Sequence, residues 1–264
     1  MIIKTVNSTC SHEELQNSEV ILQAGGRGQR IQPLSDQQPK PLLPVCGVPM
    51  IEMLLRQLVS AGFRKITVIT GYGRDAIVGH IESLLKVLPQ KIRVRFHHEE
   101  KPQGNLGVLG DLDIEMRRVL LVFADLVTDL NFVQLLNTHL ERGCSTTLTS
   151  HYESYRLRLG ELSVAGSYVT DYQEKPPKEF LACSGIAVFE PEVIALAREL
   201  PRPFGISDLI QASLNRKLSI THWIHGAFWR DVNTKDELQE AEAQLTGLLA
   251  KKTAHASSHT EVSQ

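Results

Sequence analysis

Cysteine is scarce in this chain. Cys10, Cys46, Cys144 and Cys183 lie far apart among 264 residues and form no CxxC pair, so the sequence carries no disulfide framework. Long apolar runs are missing as well. The longest spans only 119–124, against the roughly 20 residues needed to cross a bilayer. Residues 1–15 are polar and hold no apolar stretch of the kind that marks a secretory signal. Nor does charge of one sign prevail: 28 Lys and Arg stand against 30 Asp and Glu, a formal net charge of −2. That balance excludes a broad basic surface for nucleic acid, while a local phosphate site stays open. The expectation is a soluble, cytoplasmic, compact protein with neither a membrane nor a nucleic-acid partner.

What is present is an alternation. Apolar runs of strand length fall at 19–23, 65–70, 91–96 and 119–123. Between them lie helical patterns. Pro49 stands at a plausible first helical position before Ile51, Leu54, Leu55, Leu58 and Val59, and Gly62 stops the run. Ile77, Ile81, Leu84, Leu85 and Leu88 mark a second helix; Phe132, Leu135, Leu136 and Leu140 mark a third, ending at Gly143. Such alternation predicts an α/β fold of Rossmann-like type, a mostly parallel sheet flanked by helices, with ligands at the carboxyl ends of its strands. Beyond residue 150 the pattern turns to strands at 155–162, 167–173 and 184–189, helices at 191–198 and 207–215, a strand at 219–223 and a helix at 235–249. No internal repeat is found. The organisation expected is an extension over 1–18, a single domain over 19–249 with a nucleotide half (19–150) and a co-substrate half (151–249), and a disordered tail over 250–264.

The most informative stretch is LQAGGRGQR, residues 22–30, directly after the first strand. Gly25, Gly26 and Gly28 let backbone N–H groups approach an anion, and Arg27 and Arg30 add charged donors. Lys40 follows ten residues later between two prolines. The spelling fits neither GxxxxGK[ST], since Gln29 follows Gly28, nor GxGxxG, since position 31 is Ile.

The run AGGRGQRIQPLSDQQPKPLLPVCGVPMIE resembles the signature of the sugar-1-phosphate nucleotidyltransferases, roughly AGGxGTRLxPLTxxxPKPLxPVxGxPxIE. The likeness continues to about residue 245, through LVSAGFRKITVITGY (58–72), EEKPQGNLG (99–107), FADLVTDL (123–130), EKP (174–176), CSGI (183–186) and WRDVNT (229–234). It implies a single catalytic domain; within these residues there is no left-handed β-helix repeat of the sort some relatives append. The resemblance places Ala24, Gly25, Gly26, Arg27 and Gly28 around an NTP, with Gln103 and Gly104 near its base. Arg30 would contact the β- and γ-phosphates, and Lys40 the reacting α-phosphate. Asp125 and Asp231 would hold Mg²⁺. Gly160, Glu174, Lys175, Ser184 and Gly185 would bind the sugar phosphate, Lys175 also serving catalysis. Departures are Gln29 for Thr, Asn105 and Leu106 for Thr and Ala, Ala124 for Gly, Cys183 for Asn, and Asn233 for Gly. Asn233 reads as a gentle change because Asn tolerates positive φ. Asp129 reads as a helix N-cap.

The implied reaction joins NMP to a sugar 1-phosphate, and the family's enzymes are often homo-oligomers. GTP is the first-choice nucleotide because PKPLLPV and TDLNF look like the mannose-1-phosphate guanylyltransferase branch; UTP, CTP and dTTP stay open. The chemistry needs positioning and charge neutralisation more than a nucleophile. Two alternatives are transfer to another phosphate or phosphonate, such as phosphocholine or a cyclitol phosphate, and a non-catalytic regulatory homologue. His97, His98, Glu99 and Glu100 are set aside as a metal cluster because neighbours in a strand point to opposite faces.

Overall fold

The computed structural model describes residues 12–114 and 118–260. A short helix, α1 (His12–Gln16), leads into β1 (Ser18–Ala24). After α2 (Leu34–Gln37) comes a hairpin, β2 (Pro44–Val45) and β3 (Val48–Pro49). Its two turn residues, Cys46 and Gly47, have φ of 49° and 77°, the backbone that a tight two-residue hairpin requires. Then follow α3 (Met50–Ala61), β4 (Lys65–Thr70), α4 (Arg74–Val87), β5 (Arg93–His98), β6 (Arg118–Phe123), β7 (Leu126–Thr128) and α5 (Phe132–Arg142). The second half comprises β8 (Thr146–Arg156), β9 (Glu161–Ala165), β10 (Tyr168–Gln173), β11 (Pro177–Phe189), α6 (Pro191–Glu199), α7 (Ile206–Asn215), β12 (Ile220–Ile224), β13 (Trp229–Asp231) and α8 (Lys235–Thr260).

Among the described residues the central sheet runs β12-β8-β11-β6-β1-β4-β5. Every neighbouring pair is parallel except the two made by β11, which lies antiparallel to β6 and β8. The central strands are apolar on both faces because both faces are covered. In β1, Val20, Leu22 and Ala24 pack with residues of α3, α4 and α5, while Ile21 packs with residues of α6 and α7 on the other side. A third cluster joins Val45, Met50, Val127, Val232 and Ala241, fastening α8 to the β2–β3 hairpin. The carboxyl ends of β1, β4 and β6 therefore open on one edge of the molecule, where an α/β sheet leaves its ligand crevice.

The structure moves several boundaries. Residues 12–18 belong to the fold: Leu15 is buried in the core, Glu14 pairs with Arg118, and Ser18 begins β1. One leucine in a five-residue helix leaves no periodicity to read. Residues 1–11 lie outside the described residues. The last helix continues to Thr260. No Gly or Pro after Gly247 interrupts it there. Residues 261–264 lie outside the described residues. Position 150, the expected divide between halves, falls inside β8. The run at 155–162 is divided, because β8 stops at Arg156 and β9 begins at Glu161. The cap of α5 is Asn131, whose side chain accepts from Gln134 N–H, while Asp129 accepts from Phe228 N–H.

Candidate active site

Ala24 ends β1, and the chain turns through 25–28 at the carboxyl edge of the sheet. Gly28 adopts φ 65°, ψ 37°, and a Cβ there would stand 3.0 Å from Lys40 Cβ. A side chain at 28 would thus be strained and would push Lys40 away. Ser35 Oγ–H donates to Gly28 O at 2.8 Å, bracing the turn. Arg30 follows in a one-turn 3₁₀ helix, Gln29–Ile31; Arg27 lies over the Tyr72 ring at 5.8 Å; Gly26 faces open space.

Lys40 is almost fully buried, and its Nζ lies 2.7 Å from both Asp125 Oδ2 and Asn233 Oδ1. Arg30 donates to the same Asn233 Oδ1 at 2.7 Å. Two cations, a carboxylate and an amide from positions 30, 40, 125 and 233 thus converge below the glycine loop. Asp231 joins them because β13 pairs with β7, directly after Asp125: Asp231 lies opposite Leu126, and Val232 N–H donates to Asp125 O at 3.1 Å. Burial first, and the neighbouring Asp125 charge second, hold the Asp231 carboxyl above the usual carboxylate range. Asp231 Oδ1 is buried without a hydrogen-bond partner. An orphaned carboxylate oxygen beside a second carboxylate fits an oxygen-seeking divalent cation, which would relieve both the desolvation and the repulsion.

Asn233 is held from behind. Glu237 Oε2 accepts from the N–H groups of Asn233 (2.7 Å) and Thr234 (2.8 Å), and Glu237 N–H donates to Thr234 Oγ1 (3.2 Å). This is a reciprocal cap on α8, spelled T-x-x-E at 234–237. Asn233 does not take a positive φ. Its side chain is engaged, so the exchange for glycine adds a contact rather than merely tolerating a turn.

A second group lies on the other side of the loop. Glu99 follows β5, and its N–H donates to Thr70 O at 2.8 Å. A Cβ on Gly25 would fall 2.7 Å from Glu99 Oε2, and Gln23 Nε2 reaches that oxygen at 3.5 Å. Burial raises the Glu99 pKa, with the bonds from Gln23 and the Gln103 backbone opposing. Gln23 Oε1, Glu99 Oε1 and Gln103 Oε1 are all buried without partners. Gly104, at φ 89°, lets the chain pass Phe204, whose carbonyl a Cβ would meet at 2.1 Å. Sequence reasoning placed Gln103 and Gly104 here but missed Glu99 and Gln23. The available signal was a carboxylate just past a strand end, followed by the Pro-Gln-Gly turn.

Of the residues expected around the sugar phosphate, Glu174 and Lys175 pair with each other, while Ser184 bonds Trp229 and Gly185 lies beside Phe123. Lys175, at φ 47°, is exposed, and its Nζ pairs with Glu174 Oε1 at 3.7 Å. It forms no hydrogen bond or ion pair with Arg30, Lys40, Asp125 or Asp231. Glu174 accepts from Tyr172 Oη–H, and Gly160 lies against the Tyr172 ring. Ser184 is fully buried, and its Oγ is shared between His151 Nδ1 and His225 Nε2, each at 2.8 Å. Its carbonyl accepts from Trp229 Nε1–H at 2.8 Å. Burial, then His151, holds His225 below the usual imidazole range. Gly185 occupies the irregular step between Cys183 and Ala187 in β11, beside Phe123.

Residues 19–247 match the family model described as Nucleotidyl transferase. The chain belongs to the nucleotidyl transferase family. A Sulfolobus acidocaldarius protein assigned as a mannose-1-phosphate guanyltransferase is 31% identical over 238 residues, covering 86% of this chain and 63% of its own length. A Mycobacterium tuberculosis mannose-1-phosphate guanylyltransferase is 25% identical, covering 89% of this chain and 67% of its own length. This chain thus spans about two thirds of the curated relatives it matches. Among solved structures, HddC from Yersinia pseudotuberculosis complexed with GMP-PN superimposes with a TM-score of 0.63 at 20% identity, covering 86% of this chain and 99% of its own. At that identity the likeness speaks for the fold. Within this nucleotidyl transferase fold, Arg30, Lys40, Asp125, Asp231 and Asn233 meet at the carboxyl edge of the parallel strands. No helix among the described residues is long and apolar enough to cross a membrane.

Proposed function

We propose that this chain transfers a nucleotidyl group from an NTP to a sugar 1-phosphate. An acceptor phosphate oxygen attacks the α-phosphorus, an α-phosphorus–oxygen bond forms, and the bond to the bridging oxygen breaks to release pyrophosphate. The observation that carries this reading is the convergence of Lys40, Arg30, Asp125 and Asn233 beneath the glycine loop, with the orphaned Asp231 oxygen beside them. Lys40 rests on Asp125 at 2.7 Å. Phosphate oxygens entering the loop would draw Lys40 and Arg30 toward the α- to γ-phosphates, where they neutralise charge that builds on the leaving pyrophosphate. Asp125 and Asp231 would hold Mg²⁺, which supplies further neutralisation and helps align the reacting oxygens. The attacking phosphate is already ionised near neutral pH, so no general base is needed.

GTP is the nucleotide this site suits. Glu99 offers a half-buried carboxylate with one unpartnered oxygen beside the loop. Guanine presents two adjacent donors, N1–H and the 2-amino group, that a carboxylate can accept together, whereas uracil and thymine present one. Glu174 and Lys175 remain the proposed acceptor-phosphate residues. A second reading keeps the reaction and changes the acceptor, because Ser184 is committed to two histidines and Cys183 is exposed where the family commonly has an amide.

The test is pyrophosphate release with Mg²⁺, crossing four NTPs against sugar 1-phosphates, phosphocholine and a phosphonate. Release is expected only with GTP and a sugar 1-phosphate together. Release with phosphocholine or a phosphonate alone selects the second reading, and silence across the panel refutes transfer. Asp125→Asn, folded by circular dichroism, is expected to lose about 100- to 1,000-fold in kcat.

A further inference from the structure

The loop that carries Gln103 and Gly104 is fastened to a segment far along the chain. Phe204 N–H donates to Gln103 O at 2.9 Å, and Leu106 N–H donates to Phe204 O at 3.3 Å. Arg202 adds a second hold, with Nε–H on Gly107 O at 3.2 Å and Nη2–H on Asp111 Oδ1 at 2.7 Å. Leu106 and Phe204 are both buried in the apolar cluster that receives α6 and α7. The start of α7 needs a partner of its own. Gly205 stands at its N-cap and has no side chain to offer the first N–H groups. Asn105 supplies the missing oxygen from across: its Oδ1 accepts from Ile206 N–H at 3.0 Å, while Asp208 Oδ2 accepts from Gly205 N–H at 2.7 Å. A Cβ on Gly205 would fall 2.8 Å from Asn105 Oδ1, so glycine is what lets the amide approach. Asn105 and Leu106 are also where the loop departs from the Thr and Ala of the family's spelling. Both departures fall on the contact with 204–206.

We propose, resting on the reading of 99–107 as the base loop, that Asn105 is a positioning residue for nucleobase recognition: its bond to the start of α7 sets the place of Gln103 and Gly104. Asn105 touches no reacting atom in that reading and acts through the two residues before it. Gly104, at φ 89°, brings conformational freedom rather than stiffness to the turn. Two backbone bonds to the single residue Phe204 leave that turn free to pivot about it. The bonds to Ile206 and from Arg202 fall on either side of Phe204 in the chain and remove the freedom. A loop ordered before the nucleotide arrives spares the entropy of ordering it on binding. Losing that order weakens the NTP equally in the ground state and the transition state, which raises KM and leaves kcat in place. A side chain that served only the fold would instead lower the melting temperature and leave KM of the folded enzyme unchanged.

Steady-state kinetics of the full chain with Mg²⁺, at saturating acceptor and with the NTP it uses best, tests this. Asn105→Leu removes the accepting oxygen at nearly constant volume and is expected to raise KM for the NTP about tenfold, with kcat within about twofold. Asn105→Asp keeps an oxygen of the same reach at a helix N-terminus, where a carboxylate is favoured, and should return KM to within about threefold of the parent. An unchanged KM in Asn105→Leu, a fall in kcat without a rise in KM, or an Asn105→Asp no better than Asn105→Leu would overturn the inference. If circular dichroism shows Asn105→Leu unfolded, the smaller Asn105→Ala is read in its place with the same expectation. Failure of the proposed reaction looks different, because a parent protein that releases no pyrophosphate with any NTP refutes transfer itself. The variants are then read by calorimetric titration with GTP: a dissociation constant unaltered by Asn105→Leu, or no binding by the parent, overturns the positioning role as well.

Discussion

A glycine at position 233 would leave Lys40 and Arg30 without the amide oxygen that both contact at 2.7 Å. That single side chain aligns two cations which sequence places ten residues apart, and it does so from the far end of the domain. In the proposed function Glu99 acts comparably on the base side. Its raised pKa means that it takes up a proton above the ordinary carboxylate range as pH falls. If the carboxylate accepts from guanine, kcat/KM for GTP should fall with acidification before an unperturbed carboxylate would titrate. Glu99→Gln should lose about 10- to 100-fold in kcat/KM, the worth of hydrogen bonds to a charged group, and should lose that acid limb of the profile. Equal kcat/KM in parent and variant across the pH range would remove Glu99 from base recognition.

At the scale of elements, the start of α8 does more than end a strand. The Thr234–Glu237 cap satisfies the N–H groups at 233, 234 and 237, and thereby fixes where Asn233 points. Glu237→Ala should cost about 1 kcal/mol of stability, as lost helix caps do. It should also lower kcat more than that loss of stability explains, because Asn233 is no longer held toward Lys40. Thermal unfolding together with turnover at a temperature where the variant is fully folded separates the two effects. The T-x-x-E spelling is that of a helix cap, but nothing local says what the residue before it touches. Helices α3 and α5 were readable for the opposite reason: their apolar faces repeat every three or four residues and end at Gly62 and Gly143, both left-handed.

For the whole molecule, an ionic group ties Glu14 of α1 to the sheet. Arg118 Nε donates to Glu190 Oε1 at 2.8 Å, His139 Nε2 lies 3.0 Å from the same oxygen, and Arg118 also pairs with Glu14. Burial alone would raise the Glu190 pKa; the bonds from His139 and Arg118 outweigh it and hold it below the ordinary value of about 4.5. A depressed carboxylate contributes stability that is present above its unfolded value and lost as pH falls through its folded one. The melting temperature should therefore drop as pH falls below about 4.5, and Glu190→Gln should flatten that slope at a cost of about 2 kcal/mol near neutral pH. An identical acid slope in the variant would assign the loss to other groups.

The family resemblance pointed to Asp125 and Asp231; the chain's own spelling determined the α/β alternation and the glycine loop. These are local properties: strand and helix periods extend over a few residues, and a glycine loop declares its backbone freedom residue by residue. Only the tertiary structure decided that Asn233 reaches Lys40 and Arg30, that Glu99 lies against Gly25, that Ser184 serves two histidines, and that Lys175 pairs with Glu174. It also decided that Asn105 meets the start of α7. Each depends on which strands become neighbours and in what register, and that is set by the burial of the whole core rather than by any segment in it.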